Sequence, residues 1–202
     1  MREAKNAKQA AQGLLAVSET SRNQALKNIA QRLREQSSQI ITENLKDIEQ
    51  AKLSNLSAAL IDRLSLDQAR ILALANSVES IANQQQVVNQ IVSEISRDDG
   101  LLIQTQRVPI GVIAMIFESR PNVVIDCSAL AIKSGNAIIL KGGKEAQFSN
   151  MILANIVIQS IQDILPDYTV QLVTTRDDVG QLLQQVGFID LVIPRGGEGL
   201  VN

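Results

Sequence analysis

Four short segments in the second half of this 202-residue sequence carry residue types that bind anions. They are Glu118-Ser119-Arg120-Pro121-Asn122, Lys141-Gly142-Gly143-Lys144, Thr175-Arg176-Asp177-Asp178 and Pro194-Arg195-Gly196-Gly197-Glu198-Gly199. Five of the seven basic residues beyond residue 100 lie in them: Arg120, Lys141, Lys144, Arg176 and Arg195. Two of the segments are Gly-rich and stand where helices are expected to begin. Unpaired backbone N–H groups and the positive end of a helix dipole hold phosphate at such places. The chemistry suggested is the binding of an anionic, phosphorylated ligand. An ordinary charged rim is the competing reading, because Glu118, Glu145, Asp177, Asp178 and Glu198 share it. Neither Gly-rich segment matches GxGxxG or GxxxxGK[ST], so spacing alone names no nucleotide.

Single residues sharpen the picture. Lys141 ends an apolar run, so its stem can leave a core while its ammonium reaches a ribose or phosphate oxygen; a merely solvated lysine is the alternative. Asn122 follows Pro121 at an expected helix start, which leaves an amide aimed at a ligand or a helix N-cap. Gly196 and Gly197 suit either a ligand's close approach or a structural turn. Cys127, the one cysteine, lies among Val124, Leu130 and Ala131 and reads as a small core residue rather than a nucleophile. Zero histidines exclude imidazole catalysis and His-ligated zinc, and one cysteine excludes an internal disulfide. No metal site is expected.

The elements that must position these residues divide the chain. Before Asp99 there is one glycine, Gly13, and no proline; the other ten glycines and all four prolines follow. The first half therefore reads as helical. Leu26, Ile29, Ala30 and Leu33 recur at helical spacing, as do Ile71, Leu74, Ala75, Val78, Ile81 and Ala82, and helices are predicted near 2–16, 20–35, 37–52 and 66–84. Ser65-Leu66-Asp67-Gln68 has the spacing of a capping box. Beyond residue 100, apolar runs at 110–117, 137–140, 169–174 and 189–193 predict buried parallel strands. Helices at 122–134, 145–164 and 177–186 connect them, with Gly135 and Gly187 as C-cap glycines. Residues 101–107 alternate weakly and read as an edge ribbon. The fold class is α/β: a helical part, 1–99, followed by a doubly wound, mostly parallel, Rossmann-like sheet, 100–202. Ligands gather at the carboxyl ends of the strands in such sheets, which is where the four segments fall.

Composition fits a globular chain, with 45% hydrophobic and 20% charged residues and a net charge of −2. No polybasic region suggests nucleic acid, and no apolar run reaches the ~18–20 residues of a membrane helix. The N-terminus has no hydrophobic signal region, so a cytoplasmic location is expected.

Three stretches carry a resemblance. Arg107-Val108-Pro109-Ile110-Gly111-Val112, continuing to Phe117-Glu118-Ser119-Arg120-Pro121-Asn122-Val123, closely resembles the γ-glutamyl phosphate reductases, also called glutamate-5-semialdehyde dehydrogenases. So do Lys133-Ser134-Gly135-Asn136 through Leu140-Lys141-Gly142-Gly143-Lys144-Glu145-Ala146, and Ile193-Pro194-Arg195-Gly196-Gly197. The resemblance implies an aldehyde-dehydrogenase-like fold and the NADPH-dependent reduction of γ-glutamyl phosphate to glutamate 5-semialdehyde, with phosphate release, in proline biosynthesis. A cysteine thioester is the implied intermediate. Asn122 is implied as the oxyanion donor and Lys141 as the lysine near the adenosine ribose, with Gly142, Gly143, Arg195, Gly196 and Gly197 around NADP. A homo-oligomer and glutamate 5-kinase are the implied partners. In this family the nucleophilic cysteine lies well downstream of the position of Asn202, and Cys127 does not match it. The chain is thus expected to hold an incomplete cofactor-binding domain without the catalytic domain, and to be inactive alone. A non-catalytic NADP(H)-binding fragment and a nonfunctional remnant are the alternatives.

Overall fold

The structure is a computed structural model that describes residues 2–174, 180, 182 and 184–196. Its N-terminal helices form where apolar side chains recur on one face. They are α1 (Arg2–Leu14), α2 (Glu19–Glu35), α3 (Ser37–Leu53), α4 (Ala58–Leu64) and α5 (Gln68–Ala82). Four match the expected helices closely. Only α4 was not anticipated, because seven residues are too few to show a period. The capping box expected at Ser65 and Gln68 does not form. Asp67 is the N-cap of α5, its carboxylate accepting the Arg70 N–H at 2.7 Å, while the Ser65 hydroxyl donates back to the Ile61 carbonyl at 2.7 Å.

The helical reading of everything before residue 99 also needs correction. β1 (Ile91–Ser96) pairs antiparallel with β2 (Leu102–Gln106), so the expected ribbon is one arm of a hairpin. Gly100 closes its turn at φ +84°. Every residue of both strands is exposed.

The second half follows the predicted alternation: β3 (Val112–Phe117), α6 (Asn122–Lys133), β4 (Ala137–Lys141), α7 (Gln147–Ile161), β5 (Val170–Leu172) and β6 (Leu191–Arg195). A single 3-10 turn, Lys144–Ala146, leads into α7. Of the helix expected over 177–186, residues 177–179, 181 and 183 lie outside the described residues; Gly180 and Leu182 are helical, but 184–186 are not, Val186 instead bridging to Ile189. The four strands are all parallel in the order β5-β4-β3-β6. The chain steps from β3 to β4 to β5 and then returns to the far side of β3. The order therefore reverses between β3 and β6, and the crevice at that reversal is where such sheets bind ligands.

Packing fixes this edge. β3 and β4 are buried almost throughout. α1 lies directly on β3, β4 and β5, and its buried residues, Ala4, Ala7, Ala10, Ala11 and Leu14, are nearly all small enough for close approach. α2 and α5 pack together, and both reach α6. β6, expected as a buried strand, is instead an edge strand with four of its five residues exposed, because only β3 pairs with it, and an edge tolerates Pro194. Asp190, just before β6, accepts the Val112 N–H at 2.8 Å and pairs with Lys8 of α1 at 2.8 Å. Gly111 passes this carboxylate at φ +121°, and a Cβ there would run into it. At the other end, α7 begins with no cap from its own segment. Asp47 of α3 supplies one, accepting the N–H groups of Phe148 and Ser149 at 3.1 and 2.8 Å and the Ser149 hydroxyl at 2.5 Å. That contact anchors α3 beside the carboxyl edge of the sheet. Among the described residues no helix is long and apolar enough to cross a membrane.

Candidate functional site

β3 runs into Glu118-Ser119-Arg120-Pro121 and then α6; β4 ends on Lys141 and turns at Gly142-Gly143; β6 ends on Arg195-Gly196. These adjacent strand ends line three adjoining clefts. The first, of about 1110 Å³, has Phe117, Lys141, Gly142 and Gly143 on one side and Gln50 and Leu60 of α3 and α4 on the other. The second, of about 420 Å³, lies between Arg63, Glu118, Arg120 and Arg195. The third, of about 470 Å³, separates α4 and α5 from Asn122 and Asp126 of α6. Glu118 and Ser119 belong to the first two clefts, and Arg63 and Arg120 to the last two, so the edge is continuous.

Lys141 is only 8% exposed. Its stem leaves the core beside Leu140, and its ammonium donates to the Gly142 carbonyl at 2.7 Å, on the floor of the largest cleft. The turn that follows squeezes between α7 and β3. A Cβ on Gly142 would meet the Asn150 amide, and the Phe117 ring at 3.0 Å, so this position requires glycine.

Asn122 is the first residue of α6, and its amide donates to Asp126 Oδ2 at 2.9 Å, one turn on. The N-cap alternative for Asn122 is not realised. Pro121 occupies that position with helical angles, and no side chain caps the helix. Burial pushes the Asp126 carboxyl above the usual carboxylate range, against the smaller opposing effects of the Asn122 hydrogen bond and the Arg195 charge. Cys127 is half-buried against the core. Burial first, and the Asp126 charge second, push its thiol up, with Arg195 pulling weakly the other way. This is the environment of an inert core cysteine, as its spacing suggested.

The structure thus gathers Lys141, Gly142 and Gly143 in one cleft, Arg195 and Gly196 in the next, and Asn122 in the third. Gly197 lies outside the described residues, as do Arg176, Asp177, Asp178, Glu198 and Gly199. Among the described residues no group of three His, Cys, Asp or Glu side chains could hold a metal. Sequence reasoning missed the wall that α3 and α4 contribute, Arg63 included, because nothing local ties that wall to strands about fifty or more residues away. It also missed Asp126, for which the four-residue spacing from Asn122 was an available signal.

A profile described as the aldehyde dehydrogenase family matches residues 2–199. The chain is 42% identical over 202 residues to the gamma-glutamyl phosphate reductase of Carboxydothermus hydrogenoformans, a match covering 98% of this chain and 49% of that protein. It is 46% identical over 199 residues to the enzyme of the same name from Pasteurella multocida, covering 97% of this chain and 47% of the relative. The crystal structure of gamma-glutamyl phosphate reductase from Thermotoga maritima superposes with a TM-score of 0.95 at 34% identity, over 99% of this chain and 49% of that one. The chain spans about half the length of the curated relatives it matches.

Proposed function

Because the chain belongs to the aldehyde dehydrogenase family, we propose that it supplies the nicotinamide-binding part of an enzyme that reduces γ-glutamyl phosphate to glutamate 5-semialdehyde, with NADPH as reductant and phosphate as leaving group. That reaction belongs to proline biosynthesis. The observation that carries the reading is the Lys141-Gly142-Gly143 turn flooring the largest of the three clefts, over the carboxyl ends of β3 and β4 and one strand from where the order reverses. At about 1110 Å³ the cleft is large enough for a dinucleotide, small-molecule pockets spanning roughly 300–1,000 Å³. Lys141 and Lys144 offer cations to ribose and phosphate oxygens, and Gly142 and Gly143 let the backbone approach them. Residues 1–99 and 100–202 act in this reading as one cofactor-binding unit, the helical part walling the sheet part.

A nicotinamide bound at this edge supplies the hydride. The chain's own residues hold and polarise. Asn122 gives one amide N–H to Asp126 and keeps the other for the oxyanion that develops on the acyl carbon. Asp126 fixes which way that amide faces. Cys127, half-buried with its thiol pushed up, takes no part.

Calorimetric titration of the chain with NADPH tests the cofactor half of the proposal: saturable binding at one site is expected, and no heat up to millimolar NADPH would remove it. The reaction is tested by supplying the segment of the Carboxydothermus relative that this chain does not cover. Phosphate-dependent formation of NADPH from NADP and glutamate 5-semialdehyde is then expected. NADPH binding without such activity at any ratio would leave a cofactor-binding module only.

A further inference from the structure

We propose that Arg63, Arg120 and Arg195 form a subsite for a phosphate monoester dianion, which in the reading above is the phosphoryl group of the acyl-phosphate substrate. The three side chains come from separate elements, α4, the β3–α6 connection and the end of β6, yet line one cleft of about 420 Å³. Three other arginines have carboxylate partners, Arg34 with Glu79 at 2.7 Å, Arg70 with Asp62 at 2.6 Å and Arg97 with Asp99 at 3.2 Å. Arg2, Arg32 and Arg107 show none among the described residues, so what sets Arg63 and Arg120 apart is that they share a cleft. The side chains of Arg63 and Arg120 make no ion pair or hydrogen bond among the described residues. Glu118 is the one carboxylate among the described residues of the cleft wall. Three guanidiniums and one carboxylate line the cleft itself, and although Asp126 beside Arg195 offsets part of that excess, the wall stays positive, which suits a phosphate monoester, dianionic above its second pKa of ~6. Guanidinium forks match phosphate oxygens two at a time, and a cleft focuses their field.

Position selects the ligand. Arg63 and Arg120 also border the cleft of Asn122 and Asp126, while Phe117, Glu118 and Ser119 are shared with the cleft proposed for the cofactor. An acyl phosphate whose phosphoryl group rests on the arginines brings its carbonyl toward the Asn122 amide. The phosphates of the dinucleotide are the other source of the same chemistry, and the experiment separates the two.

The 202-residue chain is titrated with inorganic phosphate at constant ionic strength, read by phosphorus NMR, with and without saturating NADPH. Saturable phosphate binding that persists with NADPH is expected. The Arg63→Gln/Arg120→Gln double variant should weaken it at least ~10-fold, one charge-assisted hydrogen bond corresponding to about that factor. Arg97→Gln, which removes an arginine on the distant hairpin, should leave it unchanged, and Arg120→Lys should recover part of the affinity. Far-UV circular dichroism checks that the variants fold. Displacement of phosphate by NADPH would assign the arginines to the dinucleotide and overturn the proposal, as would unsaturable binding or an equal loss in Arg97→Gln. Phosphate binding without NADPH binding would uphold the subsite and remove the cofactor reading; NADPH binding without phosphate binding would do the reverse.

Discussion

Asn122 and Asp126 stand one helical turn apart, and the 2.9 Å hydrogen bond between them orients an amide that otherwise rotates freely. If that amide is the oxyanion donor, Asn122→Ala should lower kcat of the complemented enzyme about 10²–10³-fold, the range for losing one such donor, with NADPH affinity unchanged. Lys141 should behave in the opposite way. Lys141→Met keeps the buried stem but removes the ammonium, so the Kd for NADPH measured by calorimetry should rise roughly 10- to 100-fold, the value of a hydrogen bond to a charged group. A fall in kcat with unchanged NADPH affinity would place Lys141 outside the cofactor site. The place of Lys141 at the end of β4 was legible in the sequence because an apolar run ends on it and a Gly-Gly turn follows. The capping alternative for Asn122 failed because a proline in helical angles already holds the position where a cap would sit.

Elements here are joined by buried polar contacts that leave little trace in periodicity. The hydrophobic stripes of α2 and α5 were readable at i, i+3 and i+4, but nothing at Asp47 announces that it caps α7 a hundred residues away. β1 is hidden for a different reason: Ile91-Val92-Ser93-Glu94-Ile95-Ser96 does not alternate and buries neither face, so only the turn signal Asp98-Asp99-Gly100 marks the hairpin, while the scarcity of glycine and proline before residue 99 points to helix. Burial is the larger influence on Asp47 and pushes its carboxyl up, although the Ser149 hydroxyl and the Ser149 and Phe148 N–H groups pull it down. A carboxyl with a raised folded-state pKa binds its proton more tightly when folded. Its stabilising contribution is therefore complete below the ordinary value of ~3.9 and is lost as pH rises through the raised one. In urea titrations the stability gap between the parent and Asp47→Asn should shift in the variant's favour from pH 4 upward, and a gap independent of pH would contradict the raised pKa. The β3 entrance allows a separate test. Gly111→Ala places a Cβ against Asp190 at a backbone angle only glycine adopts readily, so a loss of about 1–3 kcal/mol is expected, typical of such strain.

At the scale of the molecule, the sequence showed which segments meet at the carboxyl edge, because strand order and handedness leave few alternatives. It did not show that the edge divides into three clefts. That division depends on α3 and α4, whose placement is set by the Asp47 contact and by buried Asn44, which donates to the Leu64 carbonyl at 2.9 Å. The same arrangement makes stability uneven. β3 and β4 are buried almost throughout, whereas the β1–β2 hairpin is exposed along its whole length, and two strands alone are marginal in water. Their opening free energies must differ, and a ligand raises only the protection of amides whose opening releases it. NADPH at 100 times its Kd adds about 2.7 kcal/mol to any opening that destroys the site. In hydrogen exchange the amides of β3, β4 and the start of α7 should slow accordingly, while those of Ile91–Ser96 and Leu102–Gln106 keep their rates. Equal slowing of the hairpin would mean that it opens only with the sheet, and the cooperative unit that holds the cofactor would then include it.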